Sequence, residues 1–379
     1  MQFAAIVGQQ RLKQDLVRLA NGGRMPHAIL LSGPEGTGGL PISLAFAQYV
    51  FCTGDKSEDS CGECPNCQKT QRLEHADLHL TFPVFGPKAL SNQYIREFRA
   101  FVQEQPYGTT FDWLQSIEAE NKQGNITAEE CNKIIENLSF KSYEGGKKIQ
   151  IVWRPEYLNK EGNKLLKLIE EPPADTLMLF VAENPEDILG TIRSRTQLIR
   201  IPPIAPEDIS TALISRDLAT GAAAQQIGRL AQGSFNEAVS LTQHLSNDML
   251  PVVRDWFNAL FTNNGFGLVK FAEGQAKGGR EQQKHLLRYV LELLEAAVRA
   301  TYLPPETLLL PQDEVAFVTK LAARRFDPAV WKELCDLITK TEYFIERNAA
   351  AKLQLLVLSI KMQQVIRTAV PMTASAGRQ

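Results

Sequence analysis

Four cysteines stand at Cys52, Cys61, Cys64 and Cys67, a C-x8-C-x2-C-x2-C spacing within FCTGDKSEDSCGECPNCQKTQ. Two Cys-x2-Cys steps, with glycine and proline between the cysteines, let thiolates converge on one ion. Four thiolates satisfy tetrahedral zinc at about 2.3 Å each. The stretch TGDKSEDS between Cys52 and Cys61 is too polar to hold a shape by apolar burial, so a metal is expected to supply the cross-link. Four ligands leave no open position, which makes the expected zinc structural and not catalytic. An iron–sulfur cluster is the all-cysteine alternative, and four unconnected thiols the plainest one. Cys131 and Cys335 stand apart in the sequence and are expected to pack in the interior.

A second group of residues resembles a phosphate loop. LLSGPEGTGGLP (30–41) follows an apolar run and precedes a helical pattern. Gly33, Gly36 and Gly38 allow a tight turn with inward-pointing N–H groups, the frame that cradles phosphates. Gly-x-x-x-x-Gly-Lys-Ser/Thr also needs a lysine for the β and γ phosphates and a hydroxyl for magnesium. Those two places hold Gly39 and Leu40. Losing one charge-assisted hydrogen bond costs roughly 1.5–3 kcal/mol, and Glu35 adds a negative charge nearby. The acidic residues that position magnesium and water are absent too: Trp153 and Arg154 follow KIQIV, with Glu156 two positions beyond Arg154. The loop is therefore expected to be a vestigial phosphate site that binds ATP weakly or not at all.

The elements that position these residues alternate in kind. Short apolar runs at 28–32, 78–84, 148–153, 176–182 and 197–201 read as strands, and 40–51 as a helix. Continuous apolar strands separated by helices predict a parallel sheet covered on both faces. NKLLKLIEEPP (163–173) reads as a helix stopped at Pro172, with Leu165, Leu166 and Ile169 on one face. Residues 86–124 interrupt the alternation. They include the helical pattern SNQYIREFRAFVQE and aromatic residues, so a packed insertion is expected. IPPIAPEDI (201–209) reads as a linker. Beyond it the pattern is helical: 234–245 opens with Ser234 and Glu237 in capping-box spacing. Residues 285–303 carry Leu286, Val290, Leu293, Leu294 and Ala297 on one stripe, and 349–366 is apolar over most of its surface, as in a bundle or at a subunit interface.

The chain of 379 residues suits two or three domains. With 41 basic and 43 acidic residues it carries a net charge of −2, which excludes an overall basic field for non-specific nucleic-acid binding but not a local patch. MQFAAIVGQQRLKQ lacks a signal-peptide apolar core, and no apolar run reaches the roughly 18 residues that span a bilayer. A cytoplasmic location is expected.

Taken together, RMPHAILLSGPEGTGG, the cysteine insertion after the next helix, NKLLKLIEEPP and TIRSRT resemble the bacterial clamp-loader AAA+ family, most closely its delta-prime subunits of DNA polymerase III. The resemblance covers about residues 3–245. It implies an AAA+ α/β domain with an inserted zinc module (1–203), a helical lid (204–245) and a helical collar that holds a five-subunit ring (246–370); the tail PMTASAGRQ (371–379) is small and polar and is expected to be disordered. The resemblance also implies a damaged nucleotide site and a stator with no activity alone within the DNA polymerase III holoenzyme. The motif Ser194-Arg195-Thr196 stands where the family carries Ser-Arg-Cys. Its arginine reaches across a subunit interface to a neighbouring motor subunit's ATP, so Arg195, supported by Ser194, is the expected catalytic residue in trans. Arg193 is the second choice. Ile6 to Gln9 stands where active relatives cover the adenine. The implied partners are motor subunits and a delta subunit, and, through the assembly, a sliding clamp and primer-template DNA. No membrane partner is implied. Two other classes remain open: an autonomous ATPase using Arg154 or a nearby lysine, and a zinc-module nucleic-acid binder.

Overall fold

The structure is a computed structural model that describes residues 1–23, 25–86, 88–119, 124–244, 249–304, 308, 310–346 and 349–369. The expected disordered tail at 371–379 lies outside the described residues. Contacts divide the chain into two compact units, 1–220 with 231–239, and 221–230 with 240–379.

The first unit runs α1 (Gln10–Asn21), β1 (Ala28–Ser32), α2 (Gly39–Phe51), α3 (Pro65–Gln71), β2 (Leu78–Thr81), α4 (Ile95–Glu104), α5 (Thr110–Ser116), α6 (Ala128–Ser139), β3 (Lys148–Trp153), α7 (Leu166–Glu170), β4 (Thr176–Ala182), α8 (Gly190–Arg193), β5 (Gln197–Arg200) and α9 (Pro206–Ser215). The strands form one parallel sheet in the order β2-β3-β4-β1-β5. Because side chains alternate along a strand, Ile29, Leu31, Ile151 and Trp153 join one core with α1, α2 and α4. Leu30, Val152, Met178 and Phe180 join a second core with α6 and the 158–169 segment on the opposite face. The expected two-sided parallel sheet is present.

Three boundaries differ from the sequence reading. β2 ends at Thr81, not residue 84, because the Phe82 N–H donates to Ser91 Oγ at 3.0 Å and Val84 forms an antiparallel bridge with Asn125. The 163–173 helix is α-helical only over Leu166–Glu170, since a 3-10 stretch, Pro155–Leu165, leads into it. The 201–209 linker is shorter, because α9 starts with Pro206 in its first turn, where the missing N–H costs nothing.

Helix α10 (Gly221–Leu230) belongs to the second unit, and α11 (Phe235–His244) crosses the boundary between the units. The Glu237 N–H donates to Ser234 Oγ at 3.3 Å, the expected cap. The second unit continues through α12 (Met249–Phe261), α13 (Gly265–Ala276), α14 (Arg280–Tyr302), α15 (Gln312–Ala322), α16 (Pro328–Glu346) and α17 (Ala351–Thr368). Leu286, Val290, Leu293, Leu294 and Ala297 are all buried. The apolar helix α17 packs against α12, α13 and α16 of the same unit, and its Ser359 accepts the Trp256 indole N–H at 2.9 Å.

Candidate functional site

The cysteine centre forms where α2 stops. Cys52 closes α2, Cys64 precedes α3, and Cys67 lies in the first turn of α3. The four sulfur atoms lie within 4.8 Å of one another. Cys61 and Cys67 are 3.9 Å apart, close to the roughly 3.8 Å edge of a tetrahedron built on zinc–sulfur bonds. The Cys61 N–H points at Cys52 Sγ and the Cys64 N–H at Cys61 Sγ, each at 3.3 Å. Burial pushes the Cys64 thiol up, but N–H donors from Cys67 and Thr53 outweigh it and bring it down to about 5. Burial pushes Cys67 well up, so a bound cation is what would make the whole set thiolate. A Cβ at Gly54 would stand 2.6 Å from Cys61 Sγ, so glycine lets the turn lie against the sulfur. Geometry and donor set fit a tetrahedral ion such as zinc. Of the two isolated cysteines, Cys131 is buried as expected, whereas Cys335 is only half-buried.

The glycine loop lies at the carboxyl ends of the strands, where α/β folds place ligands. Gly36 and Gly38 take φ of 75° and 101°, as a tight turn requires. A Cβ at Gly39 would stand 2.9 Å from Val181 Cγ1, so a side chain there would require Val181 to shift. Leu40 is buried in the core. The Gly36 carbonyl accepts the Phe235 N–H at 2.9 Å, and the Thr37 hydroxyl donates to Pro34 O at 2.6 Å.

Trp153 and Arg154 end β3 beside this loop. Arg154 sits at φ 62°, with Nη1 3.4 Å from Glu35 Oε1 and Nε 3.6 Å from Glu156 Oε2, and it also contacts Glu183. Glu156 Oε1 in turn accepts the Glu183 N–H at 2.6 Å. Burial pushes the Glu156 carboxyl above its ordinary value, partly offset by Arg154. The remaining cavity, lined by the glycine loop, Pro106 to Gly108, Trp153 to Arg154 and Val181 to Glu183, is about 40 Å³. A triphosphate here would meet Glu35 and Glu183, and Arg154 already faces three carboxylates. Gln9 Nε2 donates to Pro202 O at 2.6 Å and to Thr37 O at 3.4 Å.

Arg195 does not line this cavity. It follows α8, with Nε 2.5 Å from Glu170 Oε1 and Nη1 donating to Thr191 O at 3.0 Å and Ser194 Oγ at 3.2 Å. Its side chain is 37% exposed, and Arg193, paired with Glu186, is equally so.

The family model described as DNA polymerase III, delta subunit matches residues 8–205, slightly more than half of the chain. The chain belongs to this family, as a subunit of the delta-prime type. It is 28% identical over 241 residues to DNA polymerase III subunit delta' of Bacillus subtilis, covering 63% of this chain and 60% of that protein. It is 28% identical over 232 residues to subunit delta' of Escherichia coli, covering 61% and 58%. Subunit tau of Escherichia coli is 26% identical over 252 residues, covering 63% and 32%. The chain thus spans about 60% of the length of its delta-prime relatives.

Two features of this delta-prime-type chain escaped the sequence. Glu35, read there only as a repelling charge, pairs with Arg154 and accepts the Thr110 N–H at 3.2 Å. Glu170, inside the IEEPP segment, is the partner of Arg195. Neither carries a local signal, because each depends on a distant segment. Among the described residues, no helix is long and apolar enough to cross a membrane.

Proposed function

We propose that this chain is the non-hydrolysing stator of a replicative clamp loader, built as an AAA+ domain with a structural zinc module, a helical lid and a helical collar. It sits in a five-membered ring with motor subunits and a delta subunit. It supplies Arg195 to the ATP of the neighbouring motor subunit, and the ring places a sliding clamp on primed DNA. The observation that carries the reading is the phosphate-loop cavity, where Arg154 is held by Glu35, Glu156 and Glu183 and a side chain at Gly39 would crowd Val181. Electrostatic stabilisation of phosphoryl transfer must then act on an ATP held elsewhere, and a guanidinium fits phosphate oxygens bidentately. Arg195 is half-exposed, in the family's motif position and outside the chain's own cavity. Exposed ion pairs contribute about 0–1 kcal/mol, so phosphate oxygens can displace Glu170 at little cost.

The test is ATP turnover by the chain alone and in an assembly reconstituted with motor subunits. No turnover alone, together with turnover in the assembly that falls on Arg195→Ala, supports the reading. Turnover by the isolated chain, abolished by Arg154→Ala, overturns it in favour of an autonomous ATPase.

A further inference from the structure

The insertion at 86–124 has no place in the proposed stator function, yet its turn Gln105–Thr109, between α4 and α5, lines the phosphate-loop cavity. The Tyr107 ring lies against the glycine loop, where a Cβ on Gly38 would stand 3.1 Å from Tyr107 Cε1. Its hydroxyl accepts the Val7 N–H at 2.8 Å. Its ring also packs on Phe235 at 5.0 Å, and Asp112 Oδ2 accepts the Asn236 amide at 3.1 Å. Glu35, within the glycine loop, accepts the Thr110 N–H at the start of α5. The two substitutions that end β3 both serve this insertion. Trp153 packs on Phe98 and Phe101 of α4, with ring centroids 5.7 and 6.0 Å away, and Arg154 holds Glu35.

We propose that the insertion is an internal occupant of the vestigial nucleotide site. It fixes the glycine loop, the Val7 segment and residues 231–239 in one arrangement without nucleotide. Three segments far apart in sequence converge on one turn, and Tyr107 satisfies the Val7 N–H while the Thr110 N–H engages the Glu35 carboxylate. A buried N–H left without an acceptor costs about as much as a lost hydrogen bond, so withdrawing the turn exposes the Val7 N–H and loosens Glu35. The site is thereby closed by the chain's own fold.

Hydrogen exchange on the full chain tests this. Wild-type Val7, Thr37 and Ile42 amides, which donate to Tyr107 Oη, Pro34 O and Gly38 O, should be protected, and millimolar Mg-ATP should leave them unchanged. Tyr107→Phe removes only the hydroxyl and should speed exchange at Val7 by about five- to ten-fold. Thr110→Pro keeps α5, since proline suits the first helical position, but deletes the N–H to Glu35 and should speed exchange across the glycine loop. Tyr107→Ala should speed both. Added protection of the wild-type loop on Mg-ATP, or unaltered loop exchange in Tyr107→Ala and Thr110→Pro, overturns the proposal. The stator reading stands or falls on assembly turnover, so the two failures are separable.

Discussion

Arg154 Nη1 lies 3.4 Å from Glu35 Oε1, which joins the end of β3 to the glycine loop across 119 positions of sequence. A cation at the end of β3 thus meets a carboxylate of the glycine loop.

Arg154→Ala should expose the consequence. Glu156 and Glu183, both largely covered, would lose their counter-charge, at a cost of about 2 kcal/mol in unfolding free energy at pH 8. The sign with pH follows from Glu156, whose native carboxyl is already held above its ordinary value by burial. A carboxyl with a raised native value binds protons more readily when folded, so stability rises as pH falls through that value. Without Arg154 the value rises further, and the deficit of the variant should shrink between pH 8 and pH 5. Denaturant unfolding at both pH values checks this, and a constant deficit would assign the loss to packing.

Arg195→Ala should leave the chain's own stability within about 1 kcal/mol of wild type, because the Glu170 pair is half-exposed. In the reconstituted assembly it should slow ATP turnover about ten-fold or more. Arg193→Ala is the control: its guanidinium pairs with Glu186 at the same exposure, and turnover should be unchanged. Equal effects of the two variants would assign the loss to general surface charge.

What the sequence made legible was local. The four cysteines close a short loop, so spacing alone predicts their convergence, and continuous apolar runs mark β1, β3 and β4 because both of their faces are buried, whereas β5 is largely exposed. The end of β2 was not legible, since it depends on Ser91 and Asn125 taking the next backbone groups. The packing of Tyr107 on the glycine loop was hidden for the same reason: an aromatic in an insertion shows that something is covered but not what.

Cys64→Ser should remove one of four soft ligands, and with it the metal. The wild-type chain is expected to carry one zinc per molecule by elemental analysis, and the variant less than a tenth of that. Loss should destabilise the first unit, because the metal would tie the polar 52–61 loop to α3, whereas the loop's hydrogen bonds to Gln2, Phe3, Ala4, Gln48 and Tyr49 tie it only to the N-terminal segment and α2. A strong chelator should lower the melting temperature of the wild type and leave the variant unaffected. Visible absorbance with iron in place of zinc would redirect the assignment to an iron–sulfur cluster.

Asp77 supplies a separate acid-sensitive tether in the same unit. It is buried, and its carboxylate accepts the Ser142 hydroxyl at 2.8 Å and the N–H groups of Tyr143 and Glu144 at 2.7 and 2.9 Å. Burial raises the carboxyl, but these three donors outweigh it and hold it below its ordinary value. The native state therefore binds this proton less readily than the unfolded chain does. The contribution is complete above the unfolded carboxylate value of about 4 and is lost as pH falls through the lower native value. Asp77→Asn should cost about 2 kcal/mol at pH 7, because charged acceptors make the stronger hydrogen bonds. The gap between wild type and variant should narrow below about pH 4 as the wild-type carboxyl protonates. Unfolding curves from pH 7 to pH 3 separate the cases: a narrowing gap assigns the tether to charge, and a constant gap assigns it to the shape of the buried side chain.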